Sequence, residues 1–379
     1  MLSTQTLIPC TQMRGGTSKG SFFLAGDLPS DPGLRDRVLL AVMGGPDGLQ
    51  IDGIGGGHPL SSKVATVSRS TRPDTDVDYL FLQVSPTGGT VSTSQNCGNM
   101  LAAVGPFAIE RGLVKASSGK TPVRVHMVNS SNDCELIVQT PDGRVEYEGD
   151  ARIDGVPGAA APVICDYFEL AGSSCGSLLP TGNPVDVFDG VETTCIDNGM
   201  PVVVMRAADL GISGYESPEE LDQHDALKEK LERIREEAGP AMNLGDISNK
   251  TVPKMSLLAP ACEGGVISTR TFIPFACHKT IGVLGAVSVA TACIIPGSIA
   301  SGLAVVPDGD EKVMNIEHAQ GSLQTRLITR SSGNRVEVLR AGVVRTARML
   351  FTGYVCVPRS VWHGQGEADE SARIAVHGG

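Results

Sequence analysis

Two stretches of this chain are apolar on nearly every side of a helix. The first is NCGNMLAAVGPFAIERG at 96–112, and the second is GVLGAVSVATACI at 282–294. A helix of this kind is buried, because none of its faces prefers water. The sequence therefore predicts one buried helix in each half of the chain, with the other elements packed around it.

Strand-like segments come in a similar order around both helices. LIPCTQM and GSFFLAG precede the first helix, and PVVVMRA, KMSLLAP and VISTRTFI precede the second. Residue identity between the halves is too low to establish a duplication. The Gly-, Ser- and Pro-rich segment 171–190 has the composition of a crossover between domains.

The predicted division of the chain follows from this crossover. An N-terminal lobe spans 1–182 and is completed by a strand near 343–357, and a C-terminal lobe spans 183–342. The polar residues 358–379 are predicted to form a loose tail. The charged segment 217–239 begins with a capping box of Ser217 and Glu220 and is predicted to be an exposed helix with a solvated face.

Charge and composition exclude several classes of partner. The formal charge of −11 argues against a nucleic acid or an anionic membrane surface. No secretory signal precedes the first strand, and the apolar runs are too short to span a bilayer, so the expected location is the cytoplasm. The ten cysteines and seven histidines show no metal-binding spacing, and most of the cysteines are expected to be small buried residues.

The segment MRGGTSKGSFF, residues 13–23, resembles part of a phosphate-binding loop. Its lysine precedes Gly20, and the aromatic residues that follow favour a strand over the helix that a Walker-type loop needs. A nucleotide site is therefore rejected. Two interpretations stay open on the residues alone: a glycine-built hairpin turn, or a cradle for another anion.

Two residues are candidates for chemistry. Cys97 lies at the start of the first apolar helix, with Asn96 as the expected cap, and the positive end of the helix favours a thiolate. Lys63 follows the glycine-rich loop, and if it points inward, burial beside Arg14 or Lys19 favours a neutral amine that can act as a general base. The alternatives are an inert buried cysteine and a surface lysine.

Five motifs in order give the chain a specific resemblance. MRGGTSKG, QIDGIGGGHPLSSK, QNCGNMLAAVGPFAIERGLV, IDNGMPVVVM and HKTIGVLGAVSVATA resemble the methylaconitate and methylitaconate isomerase family, the PrpF type. Within it they are most similar to the 4-oxalomesaconate isomerases or tautomerases of aromatic-acid degradation. The resemblance implies an α+β fold like that of diaminopimelate epimerase, with two similar lobes, each a curved β-sheet around a central apolar helix.

The resemblance also implies a catalytic pair, Lys63 and Cys97. Epimerases with two cysteines carry a second Cys-Gly at the head of the other central helix, whereas this chain has HKTIG there and Cys277 lies upstream of Gly282. The departure favours a proton shift along an allylic or keto-enol system over inversion at a saturated carbon. Either Cys97 or Lys63 can return the proton, and the sequence does not decide between them.

The remaining expectations concern the substrate. It is a small tricarboxylate keto acid, and no cofactor or metal is expected, because the adjacent carbonyl already acidifies the proton to be moved. A homodimer is the assembly that the resemblance implies. The expected substrate-binding residues are Arg14, Thr17, Ser18, Ser62, Asn96, Gly98, Asn99, His278, Lys279 and Thr280.

Two other functions remain open at this point. One is 2-methylaconitate cis-trans isomerisation, which is the same chemistry on a smaller acid. The other is a non-catalytic accessory protein of an aconitase-like dehydratase.

Overall fold

A computed structural model of the chain describes residues 4–168, 170–248, 250–332 and 335–364. The described residues form two compact units. Unit 1 lies within Met1–Ile164 and Arg345–Gly379, and unit 2 is Cys165–Val344. The sequence had placed the boundaries at 182 and 342. Most of the predicted tail, residues 365–379, lies outside the described residues.

Unit 1 is built on a sheet with the strand order β1-β2-β3-β4-β6-β7-β8, and the end of β16 pairs with β1. The short β5 pairs with β4. Its strands are β1 (Gln5–Gly15), β2 (Ser18–Leu24), β3 (Lys63–Arg69), β4 (Val77–Val84), β5 (Val91–Ser92), β6 (Gly119–Met127), β7 (Asn132–Thr140), β8 (Pro162–Tyr167) and β16 (Arg335–Pro358), and its helices are α1 (Pro32–Met43) and α2 (Gly98–Glu110).

The two helices of unit 1 cover opposite faces of the sheet. Phe22 and Phe23 are neighbours in β2 and point to opposite faces, as strand geometry requires. Phe22 meets Phe107 of α2 with the ring centroids 5.5 Å apart. Phe23 belongs to the apolar cluster that includes Val38 and Leu39 of α1. The predicted burial of the first apolar helix is confirmed, because α2 is buried from Met100 to Ala108.

The strands of unit 2 are hydrogen-bonded in the order β16-β15-β14-β13-β12-β11-β10-β9. Its further strands are β9 (Asp186–Phe188), β10 (Val191–Asp197), β11 (Pro201–Arg206), β12 (Lys254–Ala259), β13 (Ile267–Phe272), β14 (Glu311–His318) and β15 (Gly321–Ser332), and its helices are α3 (Pro218–Asp222), α4 (Asp225–Ala241) and α5 (Val283–Ile294).

The charged segment of unit 2 departs from its prediction as one exposed helix. It forms two helices, α3 and α4, with a break after Asp222. The capping box at Ser217 is present. However, Leu231 and Ile234 of α4 are buried in a cluster with β11 and β12. A face of this helix therefore belongs to the core, and the charge density along its sequence concealed the apolar stripe.

Both units use the same sequence of strand pairings. An antiparallel hairpin, β1-β2 or β10-β11, is followed by a parallel neighbour, β3 or β12. The next strand, β4 or β13, pairs antiparallel with β3 or β12. On its other side it pairs in parallel with the first strand of a further hairpin, β6 in unit 1 and β14 in unit 2. The central helix, α2 or α5, lies at the same point of this order in each unit. The predicted two similar lobes with central apolar helices are confirmed.

Candidate functional site

Lys63 is a buried lysine with a defined partner. It is the first residue of β3, and only 7% of it is exposed. Its Nζ donates to Oε1 of Gln83 at 2.7 Å and lies 5.0 Å from the centre of the Phe81 ring. Lys63 pairs directly with Gln83 across the β3-β4 ladder, so their side chains share one face of the sheet. Of the two positions that the sequence left open for Lys63, a surface position and an inward one, the structure has the buried one.

Gln83 is itself fixed by the backbone around it. Its Nε2 donates to the carbonyl oxygens of Pro59, Ser62 and Val84, at 3.2, 3.0 and 3.3 Å. Because the amide nitrogen is held in this way, the amide oxygen can only be directed towards Lys63. The sequence analysis missed Gln83, since its role depends on the strand register.

The face that carries Lys63 is the face covered by α2. Gly20 of β2 pairs with Lys63 in parallel register. A Cβ atom added at Gly20 would lie 2.4 Å from Cε of Met100 and 2.5 Å from the carbonyl oxygen of Lys63. Only glycine allows this approach, and it brings the backbone of Lys63 next to the first turn of α2.

Cys97 lies at the N-terminal end of α2, as predicted. It is the N-cap residue and is half-buried, and no side chain among the described residues caps the helix. The hydroxyl of Tyr79 donates to the carbonyl oxygen of Cys97 at 3.3 Å. The prediction that Asn96 caps the helix is wrong, because its side chain donates instead to Oγ of Ser130. The first backbone N–H groups of α2 are thus left without a side-chain acceptor.

The β1-β2 turn lies against this end of α2. A Cβ at Gly15 would be 2.4 Å from the carbonyl oxygen of Asn99, and one at Gly16, where φ is +51°, would be 2.2 Å from its Oδ1. Nδ2 of Asn99 donates to Oγ1 of Thr17 at 3.0 Å. Ser18 is 2% exposed, and its hydroxyl has no hydrogen-bond partner in the described part of the chain. The two glycines therefore let a hydroxyl-bearing turn reach an uncapped helix end.

Arg14 lies on the other face of this hairpin. Gly15 faces α2, so strand alternation directs Arg14 away from it. Its guanidinium donates to the carbonyl oxygens of Gly16 and Thr346 and to Oγ1 of Thr346, and it lines a cavity of about 510 Å³ with Arg348. Burial and the neighbouring Arg348 lower the pKa of Arg14. The structure does not group Arg14 with Lys63, and its role in binding substrate stays a prediction.

Ser62 is committed to an internal contact. It is fully buried, and its hydroxyl donates to Oε1 of Gln50 at 2.6 Å. The same oxygen of Gln50 accepts the backbone N–H of Gly57 at 2.9 Å. Gln50, which sequence reasoning did not single out, therefore closes the glycine-rich loop that leads into Lys63.

The predicted site residues of unit 2 lie on the segment that leads into α5. Nδ1 of His278 accepts the backbone N–H of Thr280 at 2.9 Å, and Nζ of Lys279 forms an exposed ion pair with Glu219 at 3.2 Å. Cys277 is buried, and burial together with Asp222 raises the pKa of its thiol to about 12. This thiol stays protonated at neutral pH, and the prediction against a two-cysteine mechanism stays a prediction.

Neither metal-binding groups nor membrane-spanning helices mark the described part of this protein. Within the described ranges, no cluster of three or more His, Cys, Asp or Glu side chains could hold a metal ion. No helix in the same part of the chain is long and apolar enough to cross a membrane.

A cavity of about 870 Å³ in unit 2, lined by Leu178, Pro184 and Ile295 among others, contains none of the predicted site residues.

Comparison with known proteins settles the family. The model of the PrpF protein family matches residues 5–358. The chain belongs to the PrpF family. The predicted resemblance is therefore confirmed over nearly the whole chain.

Two curated relatives match with high identity. The 4-oxalomesaconate tautomerase of Pseudomonas putida KT2440 is 56% identical over 360 residues, which covers 95% of this chain and 99% of the relative. The (4E)-oxalomesaconate Delta-isomerase of Novosphingobium sp. KA1 is 57% identical over 349 residues, with coverages of 92% and 97%. This PrpF-family chain is an isomerase, as the sequence predicted.

A solved structure confirms the fold. The crystal structure of a methylitaconate-delta-isomerase superposes with a TM-score of 0.85 at 34% identity, covering 95% of this chain and 97% of the other. The epimerase-like α+β class is thus established for this PrpF-family member. None of these comparisons tests the individual site residues, which stay predictions.

Proposed function

We propose that this protein is a cofactor-independent isomerase that moves a proton within 4-oxalomesaconate, an unsaturated keto tricarboxylic acid of aromatic-acid degradation. The observation that carries the substrate assignment is the identity of 56–57% to two enzymes named for oxalomesaconate. Identity to the 2-methyl-aconitate isomerase of Shewanella oneidensis is 35% over 94% of this chain. The larger substrate is therefore favoured over 2-methylaconitate.

Lys63 is the proposed general base. The methylene beside the keto group is acidified by that carbonyl, so an amine can remove its proton without a cofactor. Lys63 is buried and held at one atom by Gln83, which fixes the position of the amine. A fixed base reaches a defined hydrogen of a bound substrate, and this orientation contributes to the rate.

The dienolate that forms needs stabilisation at its oxygens. The uncapped N-terminus of α2 offers backbone N–H groups and the positive end of a helix dipole. The buried hydroxyl of Ser18 is a further donor without a partner in the described chain. These groups are preorganised, so they stabilise developing charge without the reorganisation that water would require.

The second proton transfer has two candidate donors. Cys97 lies at the start of α2 and can deliver a proton to the far end of the conjugated system. Lys63 can return the proton it took if both ends lie on one face. Protonation at oxygen gives the enol, and protonation at the distal carbon gives the allylic isomer. NMR analysis of the product distinguishes these outcomes.

Deuterium wash-in tests the role of Lys63. Purified protein in D₂O exchanges the methylene hydrogen of 4-oxalomesaconate, and Lys63→Met is expected to slow this exchange by about 10²–10⁴-fold. The exposed Lys120→Met is the matched control and should exchange at the wild-type rate. Cys97→Ser should retain exchange but lose isomer formation if the thiol is the second donor. Undiminished exchange in Lys63→Met removes this residue from the base role.

Ultraviolet absorbance separates enzyme from accessory protein. The purified protein alone should change the absorbance of an oxalomesaconate solution, because the conjugated system is altered by the reaction. An accessory protein of a dehydratase would leave the spectrum unchanged. Parallel assays with 2-methylaconitate compare the two substrates directly, and a higher kcat/KM for 2-methylaconitate would overturn the assignment.

A further inference from the structure

A row of three cations crosses one face of the sheet in unit 1. Arg14 of β1 lies directly opposite Arg348 of β16 in one antiparallel ladder, and directly opposite Lys19 of β2 in the other. Residues that pair in this way place their side chains on the same face. Three neighbouring strands therefore present a positive charge at the same level of the sheet.

This face is the one that α2 does not cover. Gly15 and Gly20, which lie next to Arg14 and Lys19 along the two strands, both pack against α2. Strand alternation therefore directs Arg14 and Lys19 away from that helix. Lys63 shares the α2 face, so the row of cations is separate from the proposed general base.

Arg14 and Arg348 both line a cavity of about 510 Å³, and the segment 156–160 forms a further part of its wall. All of these residues belong to unit 1. Lys19 does not line the cavity. A Cβ added at Gly56 would lie 3.6 Å from Nζ of Lys19, so this amine is directed to the glycine-rich loop. The cavity is within the size range of pockets that hold small molecules.

None of the three cations has a carboxylate partner among the described residues. The side chains of Lys19 and Arg348 make no hydrogen bond or ion pair there, and Arg14 bonds only to neutral oxygens. Glu148 also lines the cavity, but it is exposed and forms no ion pair with either arginine. The described walls of the cavity therefore carry a net positive charge.

The guanidinium of Arg14 is held at one nitrogen. Nη1 donates to the carbonyl oxygen of Gly16 at 2.9 Å, and to the carbonyl oxygen and Oγ1 of Thr346, both at 3.0 Å. Nε and Nη2 make no hydrogen bond in the described part of the chain, so their N–H groups remain for a ligand. These donors form a planar fork that matches the oxygens of a carboxylate or a phosphate.

Like charges directly opposite one another in a ladder are destabilising, and an anion between them removes the repulsion. Burial and the charge of Arg348 lower the pKa of Arg14. We propose that Arg14 and Arg348 form a second binding site, which takes a small oxyanion, a carboxylate or a phosphate, in this cavity. The inference does not rest on the proposed function, because no residue on the α2 face takes part in it.

Isothermal titrations with inorganic phosphate and with tricarballylate, a saturated tricarboxylate, test the site. Arg348→Leu should weaken binding of the anion that occupies it by about 10- to 100-fold, because a charge-assisted hydrogen bond is lost. Arg348→Lys keeps the charge without the fork and should lose less. Arg359→Leu removes an exposed arginine of the same unit and is the charge-matched control. Binding of phosphate alone identifies a phosphate site, and binding of tricarballylate alone identifies a carboxylate site.

Three results would overturn the proposal. One is the absence of saturable binding by the wild type, or equal affinities of the wild type and Arg348→Leu for both anions. Another is a loss of affinity in Lys63→Met but not in Arg348→Leu, which would place the anion on the α2 face. The third is a lower melting temperature of anion-free Arg348→Leu, since removal of a like charge should leave it unchanged or raise it. Turnover of 4-oxalomesaconate is not needed for these measurements, so a failure of the proposed function is seen separately.

Discussion

Replacement of Gln83 should lower the rate of the reaction without removing any group that performs proton transfer. Oε1 of Gln83 accepts a hydrogen bond from Nζ of Lys63 at 2.7 Å. An intramolecular hydrogen bond of this kind contributes about 0.5–1.5 kcal/mol. Loss of about 1.4 kcal/mol of this positioning corresponds to a rate that is about tenfold lower.

The loss should appear in kcat more than in KM. Gln83→Leu removes the acceptor that holds Nζ of Lys63, so the amine reaches the substrate hydrogen in fewer of the bound complexes. The groups proposed to bind the carboxylates are unchanged, and KM should stay within about twofold of the wild type.

A control separates the position of the amine from damage to the fold. Gln83→Leu also loses the hydrogen bonds from Nε2 to the backbone carbonyls of Pro59, Ser62 and Val84, so it should lower the melting temperature. Gln139→Leu, which removes an amide bond to the Pro162 carbonyl, is the matched control and should keep the wild-type kcat. The assay is kcat and KM followed by absorbance at a temperature where both variants are folded. An unchanged kcat in Gln83→Leu, or a loss confined to KM, refutes the reasoning.

Three further substitutions test the packing and charge around the buried Lys63 and Lys254. Gly20→Ala should destabilise the protein by about 1–3 kcal/mol in denaturant unfolding and lower kcat. The added methyl group would collide with the end of the Met100 side chain, which can move, and with the carbonyl oxygen of Lys63, which cannot. Cys277→Ser should leave kcat/KM within about two-fold of the wild type, since a thiol with a pKa of about 12 supplies no thiolate at neutral pH. Lys254, the buried first residue of β12, has a pKa lowered by burial, so Lys254→Met should raise the melting temperature most at neutral pH. The gain disappears as the pH rises to about 10.4, where the lysine of the unfolded chain also loses its charge.

Local chemistry in the sequence was enough to predict the two central helices and their burial. Small and apolar residues on every side of 98–110 and 283–294 leave no face for water, and the structure buries both. The helix of 217–239 was less predictable. Its charges outnumber its apolar residues, yet Leu227, Leu231 and Ile234 recur at helical spacing and form part of the core.

The candidate site was predictable to the extent that it depends on helix ends and turns. Cys97 was placed at the start of α2 from sequence alone, and the paired glycines at 15 and 16 do allow close approach to that helix. The direction of side chains on strands was not predictable in the same way. Arg14 and Ser18 both belong to the predicted cradle, but alternation along the hairpin directs only Ser18 towards α2.

The contrast between the two lysines shows why pairing register decides chemistry that residue type leaves open. Lys63 and Lys254 begin equivalent strands and are equally buried, but the antiparallel neighbour brings Gln83 opposite one and an isoleucine opposite the other. An amide opposite a lysine fixes its position and satisfies a donor within the protein. Isoleucine offers no such acceptor. The same strand order, used twice, therefore holds Lys63 at one atom and gives Lys254 no equivalent side-chain partner among the described residues.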